Sequence, residues 1–151
     1  MIEFINRTIP KQPRESTTGN REYKLYLDIE NNQTKAELKK QKNKSKEVIH
    51  YLKQQKIIDK TNKRASQLKY RLEEGMGRAL YIIGINDDGI VNGIDIETLL
   101  QSLTFLFNMS EIIKAKIKKI RIYKGNDSGK YVATIRIENP NYIPQQLLTN
   151  F

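Results

Sequence analysis

The residues best able to do chemistry in this 151-residue chain are its cations, and they are not spread evenly. Residues 35–71 hold 13 Lys and Arg against three acids (Glu37, Glu47, Asp59), so the whole formal charge of +10 falls in one contiguous segment. The remaining residues sum to zero. Concentrated positive charge attracts phosphate backbones and gains affinity by releasing condensed counterions. A competing reading is compositional. Lys, Ile and Asn make up a third of the chain, as in AT-rich genomes of the large-DNA-virus or parasite kind, and lysine can fill a solvated helix for solubility alone. The neutral remainder favours phosphate contact, because bias alone would spread the charge. The candidate nucleic-acid contacts are Lys39, Lys40, Lys42, Lys44, Lys46, Lys53, Lys56, Lys60, Lys63 and Arg64.

Other chemistries are limited by what is absent. There is no cysteine, which removes disulfides, thiolate metal sites and cysteine nucleophiles. The single histidine, His50, cannot build a multi-histidine metal centre and reads as structural. The one glycine-rich segment beside a strand is Glu74-Gly75-Met76-Gly77-Arg78. It follows a helical pattern and precedes a strand, the reverse of a phosphate loop, and no Gly-Lys-Ser/Thr occurs in the sequence. It reads as a helix stop and a tight turn. Tyr26 and Tyr123 fall out of phase with the apolar faces of their strands and are candidates for stacking on bases.

These residues need elements to hold them. Residues 1–20, with Pro10 and Pro13, read as an irregular arm. Tyr23, Leu25 and Leu27 alternate with polar residues, which predicts a half-buried strand with Glu22 facing outward. A lysine- and glutamine-rich helix is expected over residues 34–59. A second is expected over 62–74, with Ala65, Leu68 and Leu72 inward and Gly75 as its stop. Residues 79–85 form an apolar run expected at the sheet centre, covered on both faces. Asn86-Asp87-Asp88-Gly89 predicts a tight turn into a short returning strand at 90–94. Asp95 predicts an N-cap for a helix whose Leu99, Leu100, Leu103, Leu106 and Phe107 share a face. Residues 117–123 and 131–137 predict a closing hairpin. The expected fold is a single α+β domain of order β-α-α-β-β-α-β-β. Its mixed, mostly antiparallel sheet of about five strands is packed by two helices. The domain is expected over 21–140, with a basic helical insertion at 31–62 and a tail at 141–151. No segment reads as a signal peptide or approaches the ~18 apolar residues of a membrane span, so a soluble cytoplasmic protein without a membrane partner is expected.

Several stretches together resemble a known family. They are Glu22-Tyr23-Lys24-Leu25, residues 66–77 (Ser-Gln-Leu-Lys-Tyr-Arg-Leu-Glu-Glu-Gly-Met-Gly), residues 79–89 (Ala-Leu-Tyr-Ile-Ile-Gly-Ile-Asn-Asp-Asp-Gly), Gly93, Ser102-Leu103 and Leu106 before Met109. Their order resembles the N-terminal domain of GTPBP-type translational GTPases, relatives of the elongation factor that delivers aminoacyl-tRNA. The likeness covers about residues 21–140. In that family the domain precedes the GTPase, whereas this sequence stops where the phosphate loop would begin. The GTP chemistry is therefore not carried over. Residues 30–62 look longer and more basic than the family's connection, so the resemblance does not explain the charged segment.

A fainter likeness is to the Schlafen or AlbA-type domain, through Glu15-Ser16, Glu22-Tyr23-Lys24 and Gly84-Ile85-Asn86-Asp87-Asp88-Gly89. Some such domains resemble ribonucleases built on three carboxylates. That resemblance implies Glu15, Glu22 and Asp87 as acids holding a Mg or Mn ion, with Glu22 and Asp87 as its principal ligands. The leading expectation is instead a non-enzymatic module without cofactor that binds tRNA, rRNA or the ribosome through a basic helix. The alternatives are the metal-dependent ribonuclease and a protein-interaction domain for a GTPase or another acidic partner.

Overall fold

The computed structural model describes residues 1–27 and 45–143. The elements run β1 (Ile2–Thr8), β2 (Arg21–Lys24), α1 (Lys46–Glu74), β3 (Arg78–Ile83), α2 (Ile96–Ile112), β4 (Lys116–Lys124) and β5 (Tyr131–Glu138). They form one five-stranded mixed sheet in the order β1-β4-β5-β3-β2, with two helices. The expected α+β class is the observed one. Within it, β1 pairs with β4 and β2 with β3 in parallel, while β4–β5 and β3–β5 are antiparallel. Two interfaces are of each kind, and the two antiparallel ones carry the longer registers.

The central strands follow from their side chains. Ala79, Tyr81 and Ile83 of β3 enter the larger core, with Leu68 and Leu72 of α1 and Leu99, Leu103, Leu106 and Met109 of α2. Ile82 faces the opposite way, into a second cluster with Ile9, Tyr23, Val91 and Val132. The apolar run is therefore covered on both faces, as expected. Fully burying each large side chain contributes roughly 1.5–3 kcal/mol, so these strands supply much of the stabilisation. In β4, Ile117 and Ile120 both reach the helix-side core although one is odd and the other even. A register shift between Ile117 and Lys119 absorbs the extra residue, as a β-bulge does.

Several local expectations are corrected. Residues 1–20 are not all irregular, because Ile2–Thr8 pairs with β4 at the sheet edge. Most of β1 stays exposed, so its sequence carries no buried stripe to announce it. The two expected helices are one within the described residues. No Gly or Pro interrupts residues 46–74, and the Thr61 hydroxyl donates back to the Ile57 carbonyl at 2.7 Å, so the helix passes through Thr61-Asn62 unbroken. Residues 34–44 of the first expected helix lie outside the described residues. The returning strand at 90–94 is reduced to two isolated bridges, Ile85 to Val91 and Ile94 to Tyr131. Leu25 and Leu27 pack on the helix side whereas Tyr23 faces the other cluster, because β2 ends at Lys24 and the alternation ends with it. In α2, Asp95 caps as expected, accepting from the Thr98 N–H at 2.7 Å. Leu100 and Phe107 lie on its open side rather than with Leu99, Leu103 and Leu106.

The Gly75 stop is real and sterically enforced. Its N–H bonds the Arg71 carbonyl at 3.0 Å, and a Cβ there would stand 1.8 Å from the Arg78 carbonyl oxygen. No side chain fits between the end of α1 and the start of β3.

Candidate nucleic-acid interface and buried charge cluster

Helix α1 has two halves with different surroundings. Its buried residues are Ala65, Leu68, Arg71 and Leu72, all in the second half. Before Thr61 every residue is exposed or half-buried. Ser45 caps the outer end by accepting from the Val48 N–H, and His50 lies exposed there, 3.0 Å from the Gln54 amide nitrogen. His50 belongs to a surface pair one turn apart, and among the described residues it is in no group of three or more metal-ligating side chains. Residues 46–64 span about 27 Å at 1.5 Å per residue.

Six of the ten candidate phosphate contacts lie on this stretch. Lys46, Lys53, Lys56 and Lys63 are exposed, and Lys60 and Arg64 are half-buried. The Arg64 guanidinium also donates to Gln67 at 3.1 Å. At 3.6 residues per turn all six project within an arc of about 100°. That arc borders the apolar stripe of Ala65, Leu68 and Leu72, and the buried Arg71 continues it into the docked half. Glu47 and Asp59 fall outside that arc. Lys39, Lys40, Lys42 and Lys44 lie outside the described residues.

Two of the three acids implied by the second resemblance, Glu15 and Glu22, are drawn to Arg71, which the sequence marked only as a basic residue. Arg71 is 4% exposed. Its Nε donates to Glu22 Oε2 at 2.7 Å, Nη1 to the Thr18 and Gly19 carbonyls at 3.1 and 2.9 Å, and Nη2 to the Ser16 carbonyl at 3.0 Å. Glu15 Oε2 stands 4.0 Å from Nη2 and accepts the Tyr23 N–H. Lys24 Nζ lies 3.2 Å from Glu22 Oε1. Glu22 is buried, not outward as expected, because it is the register partner of Tyr81 on the face that Arg71 covers. Asp87 is exposed in the turn, and its carbonyl accepts the Glu15 N–H at 2.7 Å.

Electrostatics follow this geometry. Burial pushes the Glu15 carboxyl up, the Tyr23 N–H opposes the shift, and the charges of Glu22 and Asp87 add to it while Arg71 counters. Burial, with the nearby Glu22 charge, pushes the Tyr81 hydroxyl far above its ordinary range, so it stays protonated. The cluster acts as a charge-assisted clip. One guanidinium fixes three carbonyls of the arm and one strand carboxylate to a helix. Among the described residues no group of three or more His, Asp or Glu is arranged to hold a metal ion. The oxygens of Glu22 that would face an ion are taken by Arg71 and Lys24.

The stacking candidates divide. Tyr26 is 44% exposed, whereas Tyr123 is buried in the smaller core with Tyr23 and Val132 and is unavailable to a base. Arg71 was missed, although a signal exists: an arginine three residues after Leu68 and next to Leu72 sits beside the inward stripe of a docked helix.

The sequence resembles known proteins over a short span. The chain is 41% identical over 56 residues to GTP-binding protein 2 of mouse, and equally to that of human. That stretch is 37% of this chain, and the match covers only 9% of the relatives' length. No protein-family model matches the chain, and no solved structure does. The similarity is a distant one to a GTP-binding protein. Among the described residues no helix is long and apolar enough to cross a membrane.

Proposed function

We propose that this chain is a non-enzymatic RNA- or ribosome-associated module, distantly related to the leading domain of a translational GTPase, that contacts RNA phosphates through α1. The observation that carries the reading is the gathering of Lys46, Lys53, Lys56, Lys60, Lys63 and Arg64 into one arc of the outer half of the helix. Charge added only for solubility has no reason to leave one side of a helix and crowd the other. A row of cations about 27 Å long matches a phosphate backbone, binds with little sequence preference and steers encounter at low salt. The distant likeness to a GTP-binding protein fits such a module, and the missing Gly-Lys-Ser/Thr leaves it without GTP chemistry of the phosphate-loop kind.

The test is binding of labelled tRNA across a salt series, with and without magnesium, with the RNA inspected on a gel afterwards. The wild type is expected to bind intact RNA with affinity that falls steeply with salt. Lys46→Gln/Lys53→Gln/Lys60→Gln removes three contacts and is expected to lower the slope of log affinity against log salt by about 2. Lys69→Gln, on another side of the helix, serves as control. Affinity equal at low and high salt counts against the reading. A complex with an acidic protein that RNA does not compete away would replace it with the protein-interaction alternative.

One observation keeps a second reading, the metal-dependent ribonuclease, in the same experiment: Glu15 and Glu22 do converge. Magnesium-dependent cleavage abolished by Glu22→Gln would assign it.

A further inference from the structure

Past the carboxyl end of β2 lies an open groove of about 540 Å³ that the cationic helix does not use. The parallel neighbours β2 and β3 both end here, and crevices at the carboxyl ends of strands are where open sheets accept ligands. Gly93 lines the groove, its N–H tied to the Gly84 carbonyl at 2.8 Å. Its φ is +79°, and a Cβ would stand 2.9 Å from the Lys130 Cβ, so a side chain there would narrow the groove.

The remaining lining has a specific chemistry. Tyr26 offers a half-exposed ring, Asn92 and Gln101 offer side-chain amides, and Lys130 offers a cation. Neither amide has a hydrogen-bond partner among the described residues. Asp95 also lines the groove, but its carboxylate is occupied by Thr98 at the head of α2 and is held in its charged form by that bond and by Lys130. An aromatic face stacks any base. Amides carry both donors and acceptors for a base edge, and a lysine takes the phosphate. The volume falls within the range of small-ligand sites and is too small for a duplex.

We infer that this groove receives one nucleotide of single-stranded RNA, its unpaired base stacked on Tyr26 and its phosphate beside Lys130. The inference rests on the RNA reading above and adds a preference: the helix contacts backbone of any kind, and the groove selects an unstacked base.

Two measurements test it. Titrating AMP and UMP into isotopically labelled protein is expected to shift the amide signals of Gly93, Thr98 and Gln101, with inorganic phosphate giving a lesser response confined to Lys130. Tyr26→Ala and Gln101→Leu both lie at exposed positions. Tyr26→Ala is expected to weaken single-stranded RNA about tenfold while leaving a duplex of equal length unchanged. If both variants bind single strands like the wild type and the nucleotides shift no more than phosphate does, the groove is not a base site. The lysine variants then still decide the helix on their own. If the lysine variants bind normally and Tyr26→Ala does not, the groove stands and the helix reading falls.

Discussion

At the scale of single residues, Arg71 holds together parts far apart in sequence. It satisfies three carbonyls of the arm and the buried Glu22 carboxylate at once. Arg71→Met removes all four bonds and leaves Glu22 buried with Lys24 alone. The expected loss is about 3–5 kcal/mol in urea unfolding, much of it recovered when Glu22 is also made apolar. A variant losing under ~1 kcal/mol would mean that water replaces the guanidinium. Glu15 gives a pH signature of known sign. Its carboxyl titrates above the ordinary range in the folded protein, so stability associated with its protonated form is complete in acid and falls as pH rises through the raised value. Glu15→Gln keeps an acceptor for the Tyr23 N–H and removes the charge. It is expected to match the wild type near pH 4 and to exceed it near neutrality. Lower stability of the variant at neutral pH would show that the ion pair with Arg71 outweighs burial.

At the scale of elements, α1 is one helix with two environments, and its stability should be graded along its length. Residues 65–72 are locked by Leu68, Leu72 and Arg71, whereas residues 46–60 bury none of their side chains fully. Isolated helical stretches of this length are marginal without tertiary packing. Hydrogen exchange is expected to be fast in the outer half and slow in the inner half, where opening approaches the global unfolding energy. Equal protection along the helix would show that the outer half is covered. The element reading from sequence succeeded where a pattern was strong. Asp95 before an apolar stripe and Gly75 after one marked true helix ends. It failed at β1, whose residues are mostly exposed on both sides, and between residues 59 and 62, where two helices were expected and the backbone continues as one.

At the scale of the whole molecule, the charge and the core are kept apart. The sheet and α2 build two apolar layers, and the cations of the outer half of α1 stay exposed or half-buried, while Arg71 in the inner half is the buried exception. The class of fold was legible because period-2 and helical patterns record burial directly. The sheet order was not, since parallel pairing of β1 with β4 joins segments more than a hundred residues apart and leaves no local trace.

The sequence by itself determined that charge is concentrated, that these 151 residues hold no Gly-Lys-Ser/Thr and no cysteine, and which runs are buried. These are properties of composition and of short-range periodicity. Only the tertiary structure decided that Glu22 faces inward, that Arg71 claims it, that Tyr123 is buried while Tyr26 is open, and that Tyr26, Gln101 and Lys130 meet around Gly93. Each depends on which distant segment lies opposite a residue. That is set by packing the whole chain at once, since a side chain's neighbours across a sheet are not its neighbours along the chain.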